Sequence, residues 1–360
     1  MASPLTAIER HLVEQLLSPA ASTQHSSGDV SHAELRPFVS EISRISRSYT
    51  GHEVGETLAQ PVGSLLAAEA YALYYLPINA AKVAHLAPLV QSPKRCLKVL
   101  DFGSGPGTAP LALLATIPNN LEVVCVERSA PMRAVAERLL KSWKGSTSLS
   151  SLTLTPSLPQ DGELFDVIIA ANSLAELGQK DADVLLKRLL ALLGPQGFLI
   201  MLEPGQPKHT RRLMEIRDTL IEDLTPLFPC TRSTLCPMLA SSETDWCHGS
   251  LTWSQPPLSR QLDSLLGFNK HRIKYSAFVF QRGAELKPGV RVIVPAERTR
   301  RGIEITVCGE DFYGPVRIKK GQRSDDTRAL EKSAVFGRVE LSEPPQAELS
   351  QSVVTTSSEL

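Results

Sequence analysis

The sequence predicts an α/β fold: a Rossmann-like parallel sheet with a helical N-terminal module and a small Cys-rich, β-containing C-terminal module. Three observations lead there. From Lys98 onward, short apolar runs alternate with helical stretches, the signature of a parallel sheet covered on both faces. A glycine-rich turn follows the first of those runs. Beyond Pro226 the periodicity gives way to an irregular, Pro-rich stretch with three cysteines, then to strand-like segments.

At 360 residues, 42% hydrophobic and 21% charged, the chain can bury one sizeable core and a smaller second one. No apolar run reaches the roughly 20 residues of a membrane span, so a soluble protein without membrane contact is expected. Met1 to Leu17 holds Glu9, Glu14 and a single Arg, unlike a secretory signal or a mitochondrial presequence. A cytoplasmic chain is the simplest reading, or the mitochondrial matrix for a eukaryotic source. Six cysteines in a chain of this size read as buried thiols or metal ligands rather than a disulfide framework.

Along the chain, Ile8, Leu12, Val13, Leu16 and Leu17 carry helical spacing, and Ser18 to Ser31 reads as a flexible joint. Helical pattern continues from Ala33 to about Val90, with Pro77 expected to break it. Strands are expected at Val99–Phe102, Leu121–Val126, Val167–Ala171 and Phe198–Leu202, and helices at 108–116, 130–141, 182–193 and 209–223. Further strands are expected at 272–281, 290–294, 303–307 and 316–319. The domains would then be 1–92 (helical), 93–226 (cofactor-binding), 227–323 (Cys-rich and basic) and 324–360, a tail rich in Ser, Gln, Glu and Thr expected to be largely disordered.

The turn after the first strand is Asp101-Phe102-Gly103-Ser104-Gly105-Pro106-Gly107, where glycines let the backbone bend sharply and approach a ligand. Its pattern is G-x-G-x-G rather than the dinucleotide fingerprint G-x-G-x-x-G. Asp101 adds a physical discriminator. A carboxylate there would repel a pyrophosphate, whereas S-adenosylmethionine has no phosphate and carries a sulfonium and an ammonium. The sequence thus points to a class I methyltransferase sheet with cofactor residues Asp101, Gly103, Ser104, Gly105, Gly107, Glu127 and Asn172. Glu127, closing the second strand, suits the ribose hydroxyls. Asn172, Ser173 and Glu176 fall at the carboxyl end of the fourth strand, and with Glu203 they mark the substrate edge; no catalytic residue is assigned. The run Asn172-Ser173-Leu174-Ala175 lacks the Pro-Pro-aromatic sequence of many amino methyltransferases. No cysteine stands near Asn172 or Glu203 for covalent base methylation, and alignment alone can drive methyl transfer.

Cys230 and Cys236 are separated by five residues, Cys247 lies ten further on, and Cys308 sixty beyond that. These soft ligands suit zinc or an iron–sulfur cluster, with unrelated buried cysteines as the plain alternative and His248 as a substitute fourth ligand. Cys96 and Cys125 read as small apolar residues in or beside core strands.

Ala70-Tyr71-Ala72-Leu73-Tyr74-Tyr75-Leu76-Pro77, Val99 to Thr108, Leu202-Glu203-Pro204-Gly205, Pro229-Cys230 to Cys236-Pro237 and Asp245-Trp246-Cys247-His248 together resemble a family. It is that of the methyltransferase-like small-ribosomal-subunit proteins of the mitochondrial ribosome and their bacterial relatives. The last two motifs are the most specific. The family commonly shows Cys-Pro-His where this chain has Cys230-Thr231-Arg232. The resemblance implies a role in small-subunit assembly and translation, contact with rRNA, and a [4Fe-4S] cluster on Cys230, Cys236, Cys247 and Cys308. Its methyltransferase label describes a fold more than a reaction, and the chain is expected to be monomeric off the ribosome. The rival reading is an active RNA methyltransferase with a structural zinc; a third is a small-molecule or protein methyltransferase.

The formal charge is zero overall, but Asn269 to Arg323 holds thirteen Lys or Arg against five Asp or Glu. That +8 stretch supplies the expected RNA contacts: Lys270, Arg272, Lys274, Arg298, Arg300, Arg301, Arg317, Lys319 and Lys320, with Arg291 as a further phosphate-neutralising candidate.

Overall fold

The computed structural model describes residues 3–19, 29–50, 62–145, 147–160, 162–174, 177–287, 289–300, 302–310, 312–319, 331–341 and 354–356. The flexible joint expected over 18–31 falls largely outside them, as does most of the C-terminal tail. The chain divides into two compact units, Met1–Gly197 with Leu251–Ile273 and Phe198–Ser250 with Lys274–Leu360, so each is discontinuous in sequence.

The first unit opens with α1 (Pro4–Leu16), α2 (His32–Thr50) and α3 (Leu65–Leu86). Ser3 and Ser64 cap α1 and α3, their hydroxyls accepting from the amides of Thr6 and Ala67. Helix α3 is buried around much of its circumference, as its Ala-rich, almost charge-free sequence requires. It runs unbroken through Pro77, contrary to the expected break. Packing against α1 and α2 offsets the hydrogen bond that the proline removes.

Strands β1 (Cys96–Phe102), β2 (Asn120–Val126), β3 (Leu149–Thr155) and β4 (Phe165–Ala171) follow. They form a parallel array in the order β3-β2-β1-β4, with Asp101 level with Cys125 and Ile169. Helices α4 (Thr108–Thr116), α5 (Ala130–Lys141) and α6 (Gln179–Leu192) alternate with the strands. Later in the chain α9 (Pro257–Leu266) joins this unit. Glu9 of α1, 1% exposed, caps α9 by accepting from the amides of Leu258 and Ser259, each at 2.8 Å.

The second unit takes most of β5 (Leu193–Pro204), then α7 (Pro207–Leu220), β6 (Thr225–Phe228) and the one-turn α8 (Pro237–Ser241). Strand β7 (Gly249–Thr252) lies at the boundary of the units. Strand β8 (Arg272–Gln281) is antiparallel to β5 and to β6, with Glu203 opposite Ser276. Within the second unit, β8 lies between β5 and β6 and runs against both. A separate sheet, order β11-β10-β9-β12-β13, is built from β9 (Val290–Thr299), β10 (Gly302–Cys308), β11 (Tyr313–Lys319), β12 (Arg338–Leu341) and β13 (Val354–Thr356). Val292, Ile303, Ile305, Val307, Val316, Ile318 and Val339 form its apolar face.

Candidate functional site

Strand β1 delivers Asp101 at its penultimate position, 1% exposed, with Oδ2 buried and without a hydrogen-bond partner. Burial first, and the negative charge of Glu127 second, push this carboxyl up to about 8. A carboxylate in that setting is stabilised by an arriving cation or donor. Gly103, Gly105 and Gly107 adopt left-handed φ values of 70°, 53° and 81°. A Cβ on Gly103 would stand 2.6 Å from the Ser173 Cβ, and one on Gly107 2.9 Å from Leu140, so side chains are excluded twice over. The turn is held by the amides of Gly103 and Ser104, which donate to the Val126 carbonyl at 2.8 and 3.2 Å.

Glu127 follows β2 directly. Its Oε2 accepts from the Gly105 amide at 3.0 Å, and its Oε1 from the amide of Ser129, the α5 cap, at 2.7 Å. Asn172, just past β4, holds a φ of 54° that residues with side chains seldom adopt. Beside it Ser173 is 8% exposed, its Oγ buried without a partner. The glycine loop, Glu127, Asn172 and Ser173 therefore gather at the carboxyl ends of three adjacent parallel strands. Glu203 is buried on β5 of the second unit, and Glu176 lies outside the described residues.

The four C-terminal cysteines all belong to the second unit and are free thiols, Cys236 and Cys247 buried and Cys230 and Cys308 partly so. They are electrostatic neighbours. Burial raises the Cys247 thiol well above its ordinary range, and Cys230, Cys308 and Cys236 add to the effect. Cys308 is pushed up to about 12, again by burial first and then by Cys230 and Cys236. Among the described residues no group of three or more His, Cys, Asp or Glu side chains is arranged to hold a metal ion. Cys236 begins α8, its amide donating to both carboxylate oxygens of Asp218 at 3.0 Å. Cys308 ends β10, where it stands cross-strand between Arg291 and Tyr313. His248 instead stacks on Trp246, with its Nδ1 3.1 Å from the Trp246 carbonyl oxygen. Cys125 is core, and Cys96 is partly exposed at the start of β1.

Three arginines that sequence reasoning left out of the cysteine region border it. Arg217 of α7 is 0% exposed, and its positive charge partly offsets the upward push that burial gives the Cys230 thiol. It also donates to the carbonyls of Thr234 at 2.6 Å and Arg232 at 2.7 Å. Its signal was present: it occupies the apolar stripe of Leu213, Met214 and Leu220. Arg232 donates to the Gly309 carbonyl at 3.0 Å and to the Thr234 hydroxyl. Arg291, expected to meet phosphate, is instead 5% exposed, donating to the carbonyls of Pro229, Phe336 and Leu227. Its place on the inner part of β9 withdraws it from solvent.

Of the remaining basic residues, Lys270, Arg272, Lys274, Arg298 and Arg300 are exposed. Arg317 is ion-paired with Glu304 at 3.1 Å. Lys319 ends β11, and Arg301 and Lys320 lie outside the described residues. No described helix is long and apolar enough to cross a membrane.

Comparison with known proteins places these features in context. The chain is 27% identical over 236 residues to the human (Homo sapiens) mitochondrial ribosome assembly protein METTL17, a match covering 60% of this chain and 48% of that protein. It thus spans about half the length of this curated relative. Among solved structures, a putative RNA methyltransferase from Pyrococcus horikoshii matches with 16% identity and a TM-score of 0.36, over 57% of this chain and 85% of its own. Magnesium protoporphyrin IX methyltransferase from Synechocystis matches with 13% identity and a TM-score of 0.34, over 58% and 84%. A family model described as mitochondrial small ribosomal subunit Rsm22 matches residues 66–319, a span that holds both the glycine loop and all four C-terminal cysteines. With some 70% of its length inside that match, the chain belongs to the Rsm22 family of mitochondrial small ribosomal subunit proteins.

Proposed function

We propose that this protein is a methyltransferase-fold factor for small ribosomal subunit assembly and translation. In this reading it binds S-adenosylmethionine and rRNA, and Cys230, Cys236, Cys247 and Cys308 carry a [4Fe-4S] cluster. The observation that carries the reading is the single family match running from α3 through β11, which takes in both candidate sites. A relative whose name is that of a ribosome assembly protein supports the same role, and a mitochondrial matrix location in a eukaryotic source.

The residues around the glycine loop fit the cofactor. For the cofactor, the buried Asp101 Oδ2 and Ser173 Oγ lack partners, and the three left-handed glycines leave backbone room. Bound there, S-adenosylmethionine would supply a methyl group on a cationic sulfur. Asp101 would balance its positive charge, and Glu127 would accept from its ribose hydroxyls while keeping α5 capped. For the cluster, the four free thiols are soft donors that perturb one another electrostatically, but among the described residues they are not gathered into a group that holds a metal. Such a centre would crosslink an irregular backbone and order the adjoining basic strands for RNA.

Anaerobic purification followed by an absorption spectrum and iron and sulfide assays tests this directly. A brown protein containing iron and acid-labile sulfide is expected, and it should co-sediment with the small subunit. A colourless protein with stoichiometric zinc that places labelled methyl groups on RNA would replace the reading with its rival, an active RNA methyltransferase. Cys308→Ser should lower both iron content and retention on RNA; an iron-free variant with unchanged RNA binding would remove the link between them.

A further inference from the structure

Two residues, Gly205 and Gln206, separate the end of β5 from the start of α7. Gly205 lies so close to β8 that a Cβ on it would stand 2.8 Å from the Tyr275 amide nitrogen and 3.0 Å from the Lys274 Cβ, which fixes where the helix starts. Its carbonyl accepts from the Trp246 indole N–H at 3.2 Å. Trp246 and His248, each partly buried, stack at 5.0 Å with their planes 17° apart. Arg211 Nη1 holds the chain just before that pair, donating to the carbonyls of Ser242 at 2.9 Å and Asp245 at 2.7 Å. An aromatic stack is thereby fastened at two points to the start of α7, all within the second unit.

Charge at that end of the helix runs against the usual pattern. A helix N-terminus carries partial positive charge and favours acids, yet residues 207–212 read Pro-Lys-His-Thr-Arg-Arg, with three cations and no acid. Gln206 offers no side-chain cap. Among the described residues neither Arg211 nor Arg212 is ion-paired, and the Asp245 carboxylate takes its hydrogen bond from Tyr313 at 3.1 Å. Polar atoms of the same turns are buried without partners: His209 Nδ1, Thr210 Oγ1, and Arg212 Nε and Nη2. Thr210 is 0% exposed, and the Cβ of a helical residue tilts toward the N-terminus, which turns its side chain back to the first turn. Burial, and then the charges of Arg212 and Lys208, hold His209 below its ordinary value, so these groups are close neighbours. Unmet buried donors and unbalanced like charge are both costly. A phosphate, with its negative charge and several acceptor oxygens, relieves both.

Resting on the RNA-binding reading above, we infer that the start of α7 and the Trp246–His248 stack form a site for one nucleotide of unpaired RNA, outside the basic segment 269–323. Lys208, Arg212 and the amides of the helix's first turn take a backbone phosphate, and a base extends the aromatic stack. Arg211 is a positioning residue, since its guanidinium holds the chain on which Trp246 stands. Every base has a flat face, so such a site is tolerant of sequence. A duplex keeps its bases stacked inside and has none to offer the rings.

The test uses the full chain and a short fluorescein-labelled oligouridylate, with binding read by fluorescence anisotropy over a series of salt concentrations. Lys208→Gln combined with Arg212→Gln should lower the log–log salt slope by about 1.4, as expected for two fewer phosphate contacts on a single strand. Trp246→Ala should weaken binding about tenfold or more while leaving that slope unchanged. Trp246→Phe, which keeps a ring but gives up the bond to Gly205, should restore most of the affinity. A purely structural role for the indole would instead leave Trp246→Phe as weak as Trp246→Ala. Thermal unfolding accompanies each variant, and should Trp246→Ala fail to fold, His248→Ala reads the stack in its place. An unchanged slope in the double variant, or unchanged affinity in the stacking variant, would overturn this site while leaving RNA to the basic strands. Duplex RNA or polyglutamate binding as tightly as the oligouridylate, and with the same losses in these variants, would overturn the assignment to unpaired RNA. Wild type that binds no RNA would overturn the RNA reading and this site together.

Discussion

At the scale of single residues, Asp101 offers the clearest handle on ligand chemistry. Its carboxyl lies near 8 against an ordinary 3.8, so the fold bears a cost that is absent in acid and grows as pH rises through that interval. Ligand-free protein should accordingly lose thermal stability between about pH 5 and pH 8, and Asp101→Asn should remove that trend. S-adenosylhomocysteine, which keeps the ammonium, should bind more tightly as pH approaches 8, with proton release measurable by calorimetry in two buffers. A pH-independent affinity in wild type would contradict the pairing. Arg217 shows where residue-level reading of sequence falls short. An arginine on an apolar stripe signals burial, yet its partners are backbone carbonyls of a loop that shows no periodicity. Arg217→Met should destabilise the second unit by about 3–5 kcal/mol in urea titration, because Asp218 and two carbonyls lose their donor. The misplacement of Arg291 on the surface followed from counting charge without burial.

Among the elements, β1 and the turn behind it were the most legible in sequence, since a buried parallel strand is largely apolar and the left-handed positions of its turn favour glycine. Strand β3 could not. It is an edge strand, half-exposed along Leu149–Thr155, and its connection to β4 carries no helix among its described residues, so neither apolar run nor alternation marks it. Helix α9 was missed for another reason. Its Pro256-Pro257 start resembles the preceding Pro-rich loop, and its cap comes from Glu9, which sequence spacing does not reveal. Gly103→Ala tests the turn. Left-handed φ and the close Ser173 Cβ should cost about 1–3 kcal/mol in thermal unfolding, and S-adenosylhomocysteine binding should be lost while the far-ultraviolet spectrum is retained.

For the whole molecule, a balanced sum of charges conceals exposed basic residues on the second unit that remain available for a polyanion. Replacing Lys274, Arg298 and Arg300 together with Gln should reduce the salt dependence of RNA binding by about 2 in log–log slope, as expected for three fewer phosphate contacts on single-stranded RNA. An unchanged slope would move the RNA to another face. The Glu9 cap on α9 spans 249 residues of sequence. A ribosome making this chain releases α1 long before Leu258 and Ser259, and it must extrude Phe198–Ser250 in between. The first unit is consequently finished late in synthesis, and its apolar N-terminal helices spend that interval without their closing partner, when a nascent chain is most dependent on chaperones.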